Sequence, residues 1–173
     1  MSPETLFAWT FPLAAPFWAL MILAPGWSLT RRVIGSPLIV LPSALVYALL
    51  VLPQLSTVLP AVADPSLGGV SALLGGPVGA AAGWAHFIAF DLFVGRWMYL
   101  DARERGVHPL LMAPVLVLTI LLAPLGLLVY LPLRGVRPSR PGRWRSPGGY
   151  STVTDLARLR GRSTSRPSAT AAW

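Results

Sequence analysis

The sequence predicts an all-α integral membrane protein: a four-helix bundle with proline-broken helices, followed by a disordered arginine-rich tail. Three observations carry this. Of 173 residues, 54% are hydrophobic and only 12% charged, with a mean hydropathy of +0.64; soluble domains carry ~25% charged residues. Four apolar segments, about 5–25, 33–53, 77–99 and 110–133, approach or exceed the ~20 residues that cross a bilayer. At Arg134 the composition changes abruptly to Arg, Ser, Pro and Gly. That divides the chain into a transmembrane domain, 1–133, and a tail, 134–173, too poor in apolar groups to offset its chain entropy.

The first segment lacks the basic flank of a cleavable signal, because only Glu4 precedes it, so it reads as a retained span. Pro12 and Pro16 interrupt it, which membrane helices tolerate when neighbours satisfy the freed carbonyls. It closes at "APGWSLTRR", where Trp27 suits the interface and Arg31 and Arg32 mark a water-facing loop. The stretch from Gln54 to Gly76, broken by Pro60, Pro65 and a Gly-Gly pair, reads as an interfacial or re-entrant connection, with a fifth helix as the alternative. The fourth segment carries Pro114 and Pro124, with Thr119 as its mid-span hydroxyl and Tyr130 and Arg134 anchoring its far end.

Charge is unevenly distributed. Up to Leu133, Arg31, Arg32, Arg96, Arg103 and Arg105 balance Glu4, Asp64, Asp91, Asp101 and Glu104, so the net charge of +8 belongs to the tail. With four crossings, one span separates Arg105 from Arg134. The basic loops and the basic tail then lie on opposite sides, and the positive-inside rule contradicts itself; Glu4 weakly favours an outside N-terminus. A basic tail of this kind suits anionic lipid, while Trp144 and Tyr150 are too few for a nucleic-acid stacking surface, so no nucleic acid is expected.

The third segment carries the chemistry. Gly75, Gly79 and Gly83 form a ridge at four-residue spacing, a device for close helix packing and for helix-mediated oligomers or larger complexes. "WAHFIAFDLFVGRWMYLD" follows, with His86, Asp91, Arg96 and Asp101. His86 falls on the side that continues through Phe90, Phe93 and Trp97. Asp91 comes five residues later, ~140° around the helix and ~7.5 Å along it, so the two cannot face the same way. Arg96 can snorkel to the headgroups, and Asp101–Arg105 reads as a solvated loop. An intramembrane ionisable residue is a functional-site hypothesis by default. The competing reading pairs Asp91 with an arginine or backbone donors merely to lock the bundle, and makes His86 structural as well. With no cysteine and His86 far from His108, thiol chemistry is excluded and no compact metal spacing exists, so no metal or other cofactor is expected.

"APGWSLTRR", "WAHFIAFDLFVGRWMYLD" and "APLGLLVYL" together resemble the ABA4-like family of small membrane proteins over roughly residues 7–133. The resemblance rests on Trp84, His86, Asp91-Leu92-Phe93, Arg96 and Asp101, with Pro25, Trp27 and Leu29 before them and Pro124-Leu125-Gly126 after. Plant members are associated with neoxanthin formation from violaxanthin. The resemblance therefore implies carotenoid modification, such as a cofactor-free epoxide-to-allene isomerisation in a bacterial inner or intracytoplasmic membrane. His86 and Asp91 are then the catalytic base and acid. Trp84, Phe90, Phe93, Arg96 and Trp97 contact a polyene, and Gly75, Gly79, Gly83 and Asp101 are structural. The alternatives are a non-catalytic carotenoid or lipid binder, or a small subunit of a larger membrane complex; an oligomeric channel is a weaker third.

Overall fold

The computed structural model describes residues 1–136, all helices and short connections with no strand among them. The expected disorder of the tail, and a turn of helix near Val153–Leu159, lie outside these residues. Of the tail, only Arg134, Gly135 and Val136 are described, and they complete the last helix.

Helix α1 (Pro3–Leu23) starts where the Ser2 side chain accepts a hydrogen bond from the Thr5 amide and Pro3 fills the first position. It runs without a break through Pro12 and Pro16. The expected Arg31/Arg32 loop is instead a short amphipathic helix, α2 (Ser28–Gly35), because Thr30 and Ile34 bury one side while both arginines stay exposed. The second apolar segment is longer than expected. A 3-10 turn at Pro37–Val40, α3 (Leu41–Val51), a second turn at Leu52–Gln54 and α4 (Leu55–Ala63) follow one another as a 27-residue helical run, Pro37–Ala63. The supposed connection from Gln54 therefore begins as helix, and its remainder holds only nine-residue α5 (Leu67–Gly75), capped by Ser66.

Helix α6 (Pro77–Glu104) is the central element. It extends past the expected boundary, so the "solvated loop" at Asp101 is its last turn. Its stop is a Schellman closure: Val107 N–H bonds Ala102 C=O at 2.9 Å and Gly106 N–H bonds Arg103 C=O at 3.2 Å. Gly106 takes φ 67°, a conformation that favours glycine.

Packing is against α1 and α3. Near one end, Leu6, Val46 and Leu50 meet Ala81, Ala82 and Ala85. Towards the other, Ala14, Trp18 and Met21 meet Leu92, Tyr99 and Ala102. Helices α1 and α6 therefore run the same way, with the Pro37–Ala63 run returning between them. Of the three glycines expected to admit a close backbone, only Gly79 does so, and against α5 rather than a spanning helix. A Cβ on Gly79 would lie 1.8 Å from the Leu73 carbonyl oxygen of α5, but Gly75 has nothing within 4 Å and Gly83 only a Leu74 methyl at 3.5 Å. The small residues that admit neighbouring spans are the alanines. Gly95 is a further contact point, where a Cβ would lie 2.2 Å from the Trp18 ring.

The fourth apolar segment is not one helix. It breaks at Leu122 into α7 (Pro109–Leu121) and α8 (Ala123–Val136). Pro124 has no N–H to continue the helix. The two halves fold back on each other, with Gly126 directly against Thr119: a Cβ there would lie 2.2 Å from the Thr119 hydroxyl. The hairpin returns Arg134 to the end of α6, where its Nε lies 2.9 Å from Asp101 Oδ2. Arg105 binds the same oxygen at 2.8 Å. Nothing separates Arg105 from Arg134, contrary to the single crossing expected between them. The outer surface is apolar, with Trp9, Leu23, Leu49 and Leu128 among many exposed large side chains, as a bilayer-embedded bundle requires.

Candidate functional site

The polar residues of α6 fall into three separate places, because their spacing winds them around the helix. Asp91 lies in a cleft of about 530 Å³ between α6 and the hairpin tip. Trp84, Phe87, Phe90 and Val94 form one wall, and Ile120 to Pro124 with Leu127 the other. Asp91 has no ion pair or hydrogen bond among the described residues, whose ion pairs both belong to Asp101. No arginine among the described residues pairs with Asp91, as the scaffolding reading would require. A carboxyl facing an apolar cleft at the tip of a broken helical segment matches how membrane proteins build sites near mid-bilayer.

His86 faces a second groove of about 250 Å³, lined by Tyr47, Gln54, Val58, Leu74 and Val78 among others. Its ring stacks on Phe90 at 4.5 Å and lies 5.5 Å from the Tyr47 ring. The structure thus does not bring His86 and Asp91 together. Phe87 lies between them and borders both spaces.

The remaining residues lie lower on the helix. Arg96 Nε donates to the Ile34 carbonyl at 2.8 Å, and its terminal nitrogen to Gly35 C=O. These are the free carbonyls ending α2, so Arg96 caps that helix. Trp97 packs edge-on against Tyr130, ring centroids 5.7 Å apart, with the Arg134 guanidinium 5.2 Å from its own ring. Asp101 joins α6 to α8, accepting from Tyr130 at 2.6 Å, Arg105 and Arg134. Tyr99 Oη and Arg103 both donate to Pro25 C=O at 2.8 Å. Phe93 is exposed and borders neither space. Of the expected contact residues, then, Trp84 and Phe90 line the Asp91 cleft, while Phe93, Arg96 and Trp97 do not.

The residues missed in the sequence are those of the opposite walls: Leu121 to Pro124 for Asp91, Tyr47 and Gln54 for His86. Pro124-Leu125-Gly126 was the visible signal for the first. No group of three or more metal-ligating side chains comes together among the described residues.

Fold and cleft define the class: an all-α membrane protein with one carboxyl facing an apolar, aromatic-walled cleft. The sequence pattern described as ABA DEFICIENT 4-like matches residues 5–130. The chain belongs to the ABA4-like family. It is similar to the protein ABA DEFICIENT 4, chloroplastic, of Arabidopsis thaliana, at 27% identity over 111 residues, covering 61% of this chain and 50% of that protein. The chain thus spans about half the length of the curated relative it matches. No solved structure matches it significantly.

Proposed function

We propose that the protein acts in carotenoid modification, as an intramembrane isomerase that holds the end group of a polyene in the Asp91 cleft. One observation carries this: a carboxyl with no partner among the described residues, in a roughly 530 Å³ space whose walls are otherwise aromatic and aliphatic. Sites of that size and lining suit an apolar ligand oriented by few polar groups. Family membership supports the substrate class, since plant members are associated with neoxanthin formation.

Converting an epoxide to an allenic alcohol moves protons without net redox change. One proton reaches the epoxide oxygen as its C–O bond opens, and one leaves a vinylic carbon as the allene forms. Asp91 supplies the first proton. Its carboxylate, or a water beside it, takes the second, because His86 lies on another side of α6. Trp84 and Phe90 hold the end group against Asp91. Membrane lipid surrounds the remainder of the polyene.

The placement of His86 also favours a second reading, a non-catalytic carotenoid or lipid binder, since a single titratable group lines the cleft. The test uses the purified chain in vesicles containing an epoxy-xanthophyll, with pigments separated by chromatography. Conversion by the wild type, lost by about 10²-fold or more in Asp91→Asn with an unchanged thermal midpoint, supports the isomerase; positioned acids contribute about that much. Pigment retained without conversion supports the binder. A lowered midpoint with near-normal turnover in Asp91→Asn overturns the site.

A further inference from the structure

We infer that residues 109–136 enter the bilayer and return, so that the chain crosses three times and presents one arginine-rich face to the anionic phospholipid headgroups on the side where the protein is made. The inference is independent of the proposed reaction.

Length supports the dip. Helices α7 and α8 have 13 and 14 residues, about 20 Å each at 1.5 Å per residue. A hydrocarbon core is about 30 Å thick. Neither half spans it, whereas Pro3–Leu23, Pro37–Ala63 and Pro77–Glu104 are long and apolar enough to do so. The hairpin tip, Leu121 to Pro124, stops level with Asp91. Asp91 lies ten residues, or about 15 Å, above Asp101, which is the depth of the bilayer middle. Its other end is fixed at the base of α6 by the Arg134–Asp101 pair and by Tyr130.

Charge supports the face. The turn after α1, the end of α2, the end of α6 and the end of α8 are tied together by Tyr99 and Arg103 on Pro25, Arg96 on Ile34 and Arg134 on Asp101. Arg31, Arg32, Arg96, Arg103, Arg105 and Arg134 all belong to this end, against Asp101 and Glu104. The opposite end holds Glu4 and Asp64 and, among the described residues, no arginine. Arg31 and Arg32 are exposed, with Trp27 exposed beside them at headgroup level. Three crossings also remove the contradiction in the positive-inside rule: the arginines between spans and those following Val136 then start on one side.

The chain has no cysteine, so single cysteines report sidedness in the full-length protein. Asp64→Cys, Glu104→Cys and Ser168→Cys are expressed in bacterial cells and treated with a membrane-impermeant maleimide, using right-side-out and inside-out vesicles. Position 64 is expected to react from outside, and positions 104 and 168 only in inside-out vesicles. Reaction of 104 and 168 from opposite sides establishes four crossings and overturns the inference, as does reaction of both from outside. In phosphatidylcholine vesicles containing phosphatidylglycerol, spin-labelled phosphatidylglycerol should associate more strongly than spin-labelled phosphatidylcholine. Arg31→Gln with Arg32→Gln should reduce that preference at low salt, by up to about fivefold for each arginine removed. An unchanged preference in this variant overturns the assignment of the lipid face.

Discussion

Tyr130, fully buried, donates a 2.6 Å hydrogen bond to Asp101 Oδ2, the oxygen that also receives Arg105 and Arg134. One carboxylate oxygen therefore joins the end of α6 to the returning limb of the hairpin. Hydrogen bonds to charged groups contribute about 1.5–3 kcal/mol. Tyr130→Phe is expected to lower the unfolding free energy in detergent by about that amount. Asp101→Asn, which leaves two guanidinium groups without their carboxylate, should cost more, towards ~3 kcal/mol. Thermal midpoints of the two variants on matched preparations check the order.

Gly95 gives a second expectation. Its Cα passes so close to the Trp18 ring that any side chain would displace the indole. Gly95→Ala should destabilise by about 1–3 kcal/mol, the range for overpacking a filled core. Gly75→Ala, with open space around it, should leave the midpoint unchanged or slightly raised.

Ala81 and Gly83 should exchange the roles that their spacing suggests. Ala81 is 2% exposed and packs with Leu6, Val46 and Leu50, whereas a Cβ on Gly83 makes only an ordinary contact with Leu74. Ala81→Leu is expected to lower the thermal midpoint more than Gly83→Leu. Equal midpoints would show that the neighbouring spans can move apart without cost.

Arg96→Gln should act on a distant segment. It withdraws the guanidinium from the carbonyls of Ile34 and Gly35, leaving the end of α2 uncapped. Hydrogen exchange should rise over residues 30–36 while the rest of α6 keeps its protection.

Gly126→Ala should wedge the hairpin. The added methyl meets the Thr119 hydroxyl and backbone, so α7 and α8 must separate and the wall facing Asp91 must shift. Loss of ligand retention in this variant, with α6 protection kept, would be the expected hydrogen-exchange and pigment-binding result.

Local regularities carried much of this protein. Apolar runs of span length fixed its class, and Pro3, Ser2 and Gly106 mark helix ends by capping chemistry that acts within a few residues. Helical spacing alone required that His86 and Asp91 face different ways, and they do. Three features could not be read locally. A break at Pro124 is compatible with a kinked crossing or with a hairpin. The hairpin forms because Gly126 lets α8 close on Thr119 and because Arg134 reaches Asp101, 33 residues earlier in the chain. Gly79 and Ala81 look equally able to admit a neighbour; that Gly79 meets α5 while Ala81 meets α1 and α3 depends on where those helices lie. The wall opposite Asp91 likewise exists only because the hairpin tip stops at that depth. Sequence period sets the direction in which each side chain leaves its helix, but what it meets there is set by the packing of the other helices.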